Sequence, residues 1–229
     1  MKYKALIFDL DDTLLDTWGQ LVQPAAREAC VAMIEAGLHT NLEDCIAVRA
    51  EMFVANPKQD LYGALVAHFG VRNGYAPAAI RDVGYEAYFH REVEKGITLF
   101  DGAVALLDRL HGQAELFLVT SGHPDTQRQK VAILDISHRF RGVHYVHTKQ
   151  GETKKTAFRQ IIQDTGHQPV HHLSIGDRLD REIRDANALG MHTCHVHYGE
   201  FRHLRPSGPE EAPHYRIRHI ADLEQHLFH

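Results

Sequence analysis

Three aspartates, Asp9, Asp11 and Asp12, follow directly on a short apolar run near the start of the chain. The run, residues 5–8, has the composition of a strand that is buried on both faces, as in a parallel sheet. The aspartates would then lie at the carboxyl end of that strand, the edge where open α/β sheets bind ligands. Carboxylates packed so closely repel one another by about 4 kcal/mol per pair. A cation or a bound proton must relieve that repulsion, and both conditions suit chemistry on a phosphate.

Further polar groups follow later apolar runs and help to decide what the aspartates do. An Asp-rich turn can also serve only to cap the next helix. However, two other apolar runs end in polar residues, one in Thr120-Ser121 and one in Gly176-Asp177. The lysine pair Lys154-Lys155 opens the helix that precedes the second of these runs. If the strands are parallel neighbours, all these groups converge on one edge of the sheet.

Strands and helices alternate from residue 97 onward, and these elements would position the polar groups. Apolar runs predict strands at 114–119, 142–147, 171–175, 192–197 and 215–217. Amphipathic stretches predict helices at 103–110, 124–134, 153–165, 181–189 and 221–227. This alternation predicts the α/β class, with a doubly wound parallel sheet.

Residues 17–94 have a different pattern, which is helical and contains no convincing strand. Apolar stripes, caps and breakers predict helices at 18–36, 41–55, 60–69 and 76–93. We therefore expect two domains. The first is an α/β core made of residues 1–15 and 97–229, and the second is an inserted all-helical domain of residues 16–96.

The composition is that of an ordinary globular protein, with 229 residues, 44% of them hydrophobic, and a net charge of -5. No basic field suggests nucleic acid as a partner, and no apolar run approaches the roughly 20 residues that span a bilayer. The three scattered cysteines, Cys30, Cys45 and Cys194, fit free thiols in a reducing compartment. They predict a cytoplasmic location.

The motifs together resemble those of the haloacid dehalogenase (HAD) superfamily, in its phosphohydrolase branch. The first motif, Asp-x-Asp-x-Thr after an apolar strand, corresponds to residues 9–13, and the second, an apolar strand ending in Thr or Ser, to residues 118–122. The third is a lysine ahead of the last motif. The fourth, Gly-Asp followed by another acid, corresponds to residues 176–182. The resemblance covers the whole chain and implies a Rossmann-like HAD core with a small helical (C1-type) cap.

The resemblance also implies a mechanism that passes through an aspartyl-phosphate. Asp9 would be the nucleophile, while Asp11 would protonate the leaving alcohol and then deprotonate the attacking water. The two acids therefore need opposite protonation states when attack begins, and a hydrogen bond or closure of the cap is expected to keep Asp11 protonated. The implied cofactor is Mg²⁺, held by the Asp9 carboxylate, the Asp11 backbone carbonyl and Asp177. The residues implied to bind the phosphoryl group or substrate are Thr120, Lys154, Leu10, Ser121 and Gly122.

Two positions of this pattern stay open. The last acid of the family is usually Asp, whereas here Glu182 has the matching spacing and Asp180 is its rival. The phosphate-binding lysine is also ambiguous, because Lys149 and Lys155 lie in range beside Lys154, which its position favours.

The predicted function is Mg²⁺-dependent hydrolysis of a small phosphorylated metabolite. An acid at position 11 favours phosphoryl transfer, because the dehalogenases of the superfamily lack one there. The alternatives are a phosphomutase or other phosphotransferase, a haloacid dehalogenase, and a binding protein without activity. The expected partner is a small-molecule phosphate ester rather than nucleic acid or a membrane. The helical insert would close over the site on hinges near residues 16–17 and 94–96.

Overall fold

The computed structural model describes residues 1–89 and 96–228, without the side chain of Lys149. These residues form two compact units. The first unit combines Met1–Trp18 with Val93–His229, and the second is Gly19–Glu92. Each unit has a hydrophobic cluster of its own. The domain boundaries expected from the sequence stay a prediction.

The strands belong to the first unit, and the helices are divided between the two. The strands are β1 (Ala5–Phe8), β2 (Glu115–Gly122), β3 (Gly142–His147), β4 (His172–Gly176), β5 (His192–Val196) and β6 (Tyr215–Ile217). The α-helices are α1 (Gln23–Glu35), α2 (Leu42–Ala55), α3 (Leu61–Phe69), α4 (Pro77–Phe89), α5 (Ala103–Leu110), α6 (Pro124–Leu134), α7 (Lys154–Thr165) and α8 (Arg184–Asn187).

The sheet is parallel and has the strand order β3-β2-β1-β4-β5-β6, with helices on both faces. The predicted doubly wound α/β fold is therefore confirmed. The chain builds outward from β1 on one side as far as β3 and then on the other side from β4 to β6. The strand order thus reverses between β1 and β4. In open sheets a ligand binds at the carboxyl ends of the two strands that flank such a reversal.

The strand β1 is held at the centre of the sheet because both of its faces are covered. Ala5 and Ile7 belong to a buried cluster that includes Phe158 of α7. Phe8 points to the opposite face, where its ring meets Phe140 edge to face with centroids 6.4 Å apart. Full burial of a large apolar side chain contributes about 1.5–3 kcal/mol. The polar residues that follow β1 are therefore fixed to a fully buried strand of the sheet.

Two predicted helices of this unit differ from the structure. The helix expected at 181–189 begins with a π-helical turn, Leu179–Ile183, and only Arg184–Asn187 is α-helical. In that turn a carboxylate oxygen of Glu182 accepts a hydrogen bond from the backbone N–H of Arg178 (2.9 Å). Wide turns of this kind are frequent at functional sites. The closing helix expected at 221–227 is a 3₁₀ helix, Ile220–His226.

The second unit consists of α1 to α4, as the sequence predicted. Met33, Leu65 and Ile80 are fully buried in its core. The side chain of Asn41 caps α2 by accepting a hydrogen bond from the backbone N–H of Asp44 (2.9 Å), a contact that satisfies one of the free amides of the first turn. The end of the predicted helix 76–93 lies outside the described residues.

All three cysteines are buried, and none forms a disulfide. Cys30 and Cys45 lie in the core of the second unit, whereas Cys194 lies on β5. Among the described helices, none has the length and the apolar character needed to cross a bilayer.

Candidate active site

Three buried acids meet at the carboxyl ends of β1 and β4. Asp9 and Asp177 directly follow the two strands, and Glu182 lies in the π-helical turn after β4. Each offers a carboxylate oxygen within 4.8 Å of the others. Their exposed fractions are 7%, 4% and 1% respectively. The backbone N–H of Asp9 donates to the carbonyl of Ile175 (2.9 Å), so the pairing of β1 with β4 continues to the site itself.

Lys154, the first residue of α7, points into this group of acids. Its Nζ lies 2.7 Å from Oδ1 of Asp9 and 3.2 Å from Oε2 of Glu182, and the side chain is 3% exposed. The structure therefore puts the lysine favoured by the sequence beside Asp9. The backbone N–H of Lys155 donates to Asp185 (3.1 Å). The side chain of Lys149 lies outside the described part of the chain.

Glu182, rather than Asp180, is the fourth-motif acid that lies at the site. Both carboxylate oxygens of Asp180 accept hydrogen bonds from the guanidinium of Arg178, each at 2.9 Å. Oε2 of Glu182 is buried, and its ion pair with Nζ of Lys154 is not accompanied by a well-aligned hydrogen bond in the described part of the chain. Glu182 also packs over Gly176, where a Cβ atom would overlap its side chain.

One lysine does not balance three carboxylates, and two of the three acids have raised pKa values. Burial raises the pKa of Asp9 to about 7 against the pull of Lys154, and the charges of Glu182 and Asp11 add to the rise. Burial and the neighbouring acids raise the pKa of Asp177 well above its usual range. The pKa of Glu182 is lowered despite its burial, because Lys154 and the Arg178 amide stabilise its charge.

Asp11 has a different set of neighbours. Its Oδ1 accepts hydrogen bonds from Nζ of Lys130 (2.6 Å) and Oγ1 of Thr17 (2.5 Å), and its Oδ2 accepts one from Nε2 of Gln127 (2.7 Å). Burial acts to raise the pKa of Asp11, but Lys130 and the other donors outweigh it and lower that pKa. The expectation that hydrogen bonding keeps Asp11 protonated is therefore wrong for the free protein, because the donors stabilise its charged form.

Thr120 lies at the same edge and shares a partner with Asp11. It is fully buried, and its Oγ1 accepts a hydrogen bond from Nε2 of Gln127. Ser121 and Gly122 continue β2 beyond it, paired with the last residues of β3. Gln127 and Lys130 were not among the predicted residues. Their spacing of three puts both on one face of α6, a signal that a sequence reading could use.

The loop after β1 is a tight turn built on Leu10 and Asp12. The Leu10 carbonyl accepts hydrogen bonds from the amides of Leu14 and Leu15, each at 2.9 Å. Asp12 has a positive φ of 54°, and its Oδ1 accepts from the backbone N–H of Trp18 (2.7 Å). Leu10 is fully buried, so its side chain packs in the protein interior.

A buried histidine that the sequence did not indicate supports Asp177. The pKa of His195 on β5 is lowered to about 4 by burial, so the ring is neutral at physiological pH. Its Nε2–H donates to the backbone carbonyl of Asp177 (3.0 Å). This contact fixes the backbone that carries the acid.

The geometry brings together a buried carboxylate able to act as a nucleophile, further acids able to hold a hard cation, and a lysine able to bind an anion. Comparisons with known proteins agree with this chemistry. Glyceraldehyde 3-phosphate phosphatase of Methanopyrus kandleri is 30% identical over 234 residues, which cover 98% of each chain. N-acylneuraminate-9-phosphatase of Homo sapiens is 25% identical over 238 residues, covering 97% of this chain and 92% of that protein. These names agree with the predicted class, a phosphoric monoester hydrolase.

The fold and the family model lead to the same group of proteins. The crystal structure of the HAD-hydrolase YfnB from Bacillus subtilis, bound to magnesium, covers all of both chains with a TM-score of 0.68 and 23% identity. Residues 3–190 match the family model described as haloacid dehalogenase-like hydrolase. The chain therefore belongs to the haloacid dehalogenase-like hydrolases.

Proposed function

We propose that this protein is a Mg²⁺-dependent phosphatase that hydrolyses a small phosphorylated metabolite through an aspartyl-phosphate on Asp9. The observation that carries the proposal is the buried group of Asp9, Asp177 and Glu182, in which Lys154 pairs with Asp9 and Glu182. A nucleophile, a set of oxygen ligands and a cation for the phosphoryl group are thereby adjacent. The phosphatase names of the relatives support the same reaction class.

The acids at the site fit Mg²⁺, which prefers oxygen ligands and keeps several of its waters. When all are ionised, three carboxylates and one lysine leave two negative charges in excess, which one divalent ion would balance. Among the described residues, buried Oε2 of Glu182 accepts no well-aligned hydrogen bond beside its ion pair with Lys154. We propose that Asp9, Asp177 and the backbone carbonyl of Asp11 hold the ion, with Glu182 beside them. The bound ion would supply positive charge to the phosphoryl oxygens.

In the first step a carboxylate oxygen of Asp9 forms a bond to phosphorus, and the bond from phosphorus to the ester oxygen breaks. The ester oxygen takes a proton from Asp11 and leaves as an alcohol. The negative charge of the bound phosphoryl group raises the pKa of Asp11 and so favours the protonated acid that this step needs. Lys154 and Thr120 would hold the phosphoryl oxygens, with the backbone of Leu10, Ser121 and Gly122 around them.

In the second step water attacks the phosphorus of the aspartyl-phosphate. Asp11, left ionised by the first step, takes the proton of that water. The bond between phosphorus and the Asp9 oxygen breaks, which restores the carboxylate and releases phosphate. The two steps return both acids to their starting states.

The relatives indicate where to look for the substrate. Triose phosphates come first, because the relative from Methanopyrus kandleri is named a glyceraldehyde 3-phosphate phosphatase and matches the chain over nearly its full length. Larger sugar phosphates come next, as the name of the human relative refers to an N-acylneuraminate 9-phosphate. The buried, unpaired cysteines fit the cytoplasmic location that we propose.

Release of phosphate from a panel of phosphorylated metabolites, with Mg²⁺ and with EDTA, tests the proposal. We expect turnover with Mg²⁺, none with EDTA, and recovery when Mg²⁺ is restored. Equal activity in EDTA would contradict the role of the metal. Release of chloride from 2-chloropropionate without any release of phosphate would instead identify a dehalogenase. Saturable binding of a phosphate ester without turnover would indicate a binding protein.

A further inference from the structure

We propose that Gln127 and Lys130, on the buried face of α6, are positioning residues. They hold Asp11 in place for proton transfer and Thr120 in place for phosphate binding. The inference rests on the function proposed above, since it assigns Asp11 to proton transfer. Neither Gln127 nor Lys130 belongs to the four sequence motifs.

Lys130 is buried and directed at Asp11. The residue is 7% exposed, and its Nζ lies 2.6 Å from Oδ1 of Asp11. A lysine is rarely buried unless it is paired, because the loss of hydration penalises its charge. An apolar residue at this position of α6 would pack without that cost. The ion pair therefore fits a role at the site better than a role in the stability of the fold.

Gln127 connects the proposed acid to the proposed phosphate ligand. The residue is 3% exposed, and its Nε2 donates both to Oδ2 of Asp11 (2.7 Å) and to Oγ1 of Thr120. An amide nitrogen only donates, so Oγ1 of Thr120 acts as the acceptor in this contact. The hydroxyl proton of Thr120 then remains available for a third group. A phosphoryl oxygen, which only accepts, is a suitable partner for it.

The surroundings of Gln127 keep its amide in place. A Cβ atom on Gly122 would lie 3.4 Å from Cγ and from Cδ of Gln127, so this glycine lies directly against the side chain. Thr17 adds another donor to Asp11, at 2.5 Å from Oδ1. Asp11 is thus held through both of its oxygens. A group that gives and then takes a proton at one point in space needs such support, because small displacements of a catalytic group lower the rate strongly.

The dependence of kcat/KM on the leaving group tests this role, because it reports the step in which Asp11 gives its proton. An alkyl phosphate releases a strongly basic oxygen that needs this proton, whereas p-nitrophenyl phosphate releases a weakly basic one. General acid catalysis contributes about 10²–10⁴-fold, so we expect Lys130→Met to lower kcat/KM about 10²-fold on glycerol phosphate and less than about tenfold on p-nitrophenyl phosphate. Gln127→Leu, which removes no charge, should show the same preference with a smaller loss.

Matched controls lie on the same helix. Arg128 and Gln129 are exposed on α6, so Arg128→Met and Gln129→Leu should leave both kcat/KM values unchanged. Lys130→Arg keeps the charge and should restore part of the activity on glycerol phosphate. Thermal unfolding of each variant separates loss of activity from loss of fold.

A double-variant cycle completes the test. If Lys130 acts through Asp11, Lys130→Met should lower kcat/KM on glycerol phosphate by less than about threefold when Asp11→Asn is already present. An equal loss on both esters for Lys130→Met, or the full additional loss in the Asp11→Asn background, would overturn the inference alone. An equal loss on both esters for Asp11→Asn would overturn the proposed acid and the inference with it. Lys130→Met leaves the charge of Asp11 unpaired and could prevent folding. In that case Gln127→Leu and the double variant of Lys130→Met with Asp11→Asn, which removes both charges of the pair, test the inference by the same criteria.

Discussion

Asp9 and Asp11 lie two residues apart after the same strand, yet their surroundings are opposite in charge. Asp9 lies beside two further acids, Asp177 and Glu182, and shares the single lysine Lys154 with Glu182. When fully ionised, that group carries excess negative charge, and the pKa values of Asp9 and Asp177 are raised in the absence of a cation. The negative charge around Asp9 is therefore neutralised only when a metal ion or protons are bound.

The charge of Asp11, in contrast, is stabilised by groups of the chain itself. One carboxylate is paired with the charge of Lys130 and receives neutral donors from Thr17 and Gln127. Pairs of carboxyl groups whose pKa values are driven apart by their environments are typical of acid and base assignments in enzymes. The difference indicates that the chain itself supplies the groups that hold Asp11, the proposed proton-transfer residue, whereas the proposed nucleophile, Asp9, needs a ligand from outside the chain.

We expect the largest effect from Asp9→Asn. An amide cannot form the aspartyl-phosphate, so kcat/KM on p-nitrophenyl phosphate should fall by at least about 10⁴-fold, as for other enzymes that lose their nucleophile. Asp11→Asn should retain far more of its kcat/KM on this ester, because kcat/KM reports the first step and this leaving group needs no acid there. Phosphate release by the two variants, measured side by side, checks the contrast.

The fold should survive Asp9→Asn. An ionised Asp9 is penalised by its burial, so we expect the metal-free variant to unfold at no lower temperature than the wild type at pH 8. Circular dichroism checks that both proteins are folded. Near wild-type turnover by the folded variant would exclude Asp9 as the nucleophile.

Much of the fold was predictable because apolar runs and caps carry local information. The strand β3 and the helix α6 begin and end at the predicted residues. The site was harder to predict. Whether Asp180 or Glu182 turns toward Asp9 depends on the π-helical turn, which the sequence does not indicate. Gln127 and Lys130 were missed for a related reason, because polar residues on a helix usually face solvent, and only the tertiary structure buries them.

The next largest effect should come from Glu182→Gln. The substitution removes one of the three charges at the Asp9 region while keeping the shape of the side chain. Residues that support a metal site typically change its affinity about 10–100-fold, so we expect the Mg²⁺ concentration for half-maximal activity to rise by that factor. Asp180→Asn is the matched control, since the Asp180 carboxylate is bound by Arg178. The comparison would fail if Asp180→Asn shifted the Mg²⁺ dependence and Glu182→Gln did not.

A smaller effect on the same region should come from Gly176→Ala. The added methyl group would overlap the side chain of Glu182 and push its carboxylate from the other acids. We expect about a tenfold rise in the Mg²⁺ requirement, without a change at Asp11 and so without a change in leaving-group preference. Gly142→Ala, on β3, meets its neighbours at 3.4 Å and serves as the control. An unchanged Mg²⁺ requirement would show that Glu182 moves without consequence.

The smallest effect concerns the pH dependence of the stabilisation by Mg²⁺. With a folded-state pKa of about 7 and an unfolded value of 3.8, metal-free Asp9 holds a proton on folding, so this group lowers stability as the pH rises from about 4 to 7. Asp177 acts in the same direction. A bound cation replaces these protons, and its affinity therefore falls at lower pH. At a fixed concentration, Mg²⁺ should raise the unfolding temperature more at pH 8 than at pH 6.

The expected difference is small but can be isolated. If Mg²⁺ must displace one proton, each pH unit below the pKa weakens its stabilisation of the fold by about 1.4 kcal/mol. For a protein of this size, that free energy corresponds to about 3 °C in unfolding temperature. His195 acts in the opposite direction, because its lowered pKa adds stability as the pH rises toward 6.5. This term is common to samples with Mg²⁺ and with EDTA and cancels in their difference. Asp11→Asn should narrow that difference only slightly, since the charge of Asp11 is one of the smaller contributions to the raised pKa of Asp9. Equal stabilisation by Mg²⁺ at both pH values would mean that the Asp9 region is ionised without a metal, and the contrast between the two carboxylates would not hold.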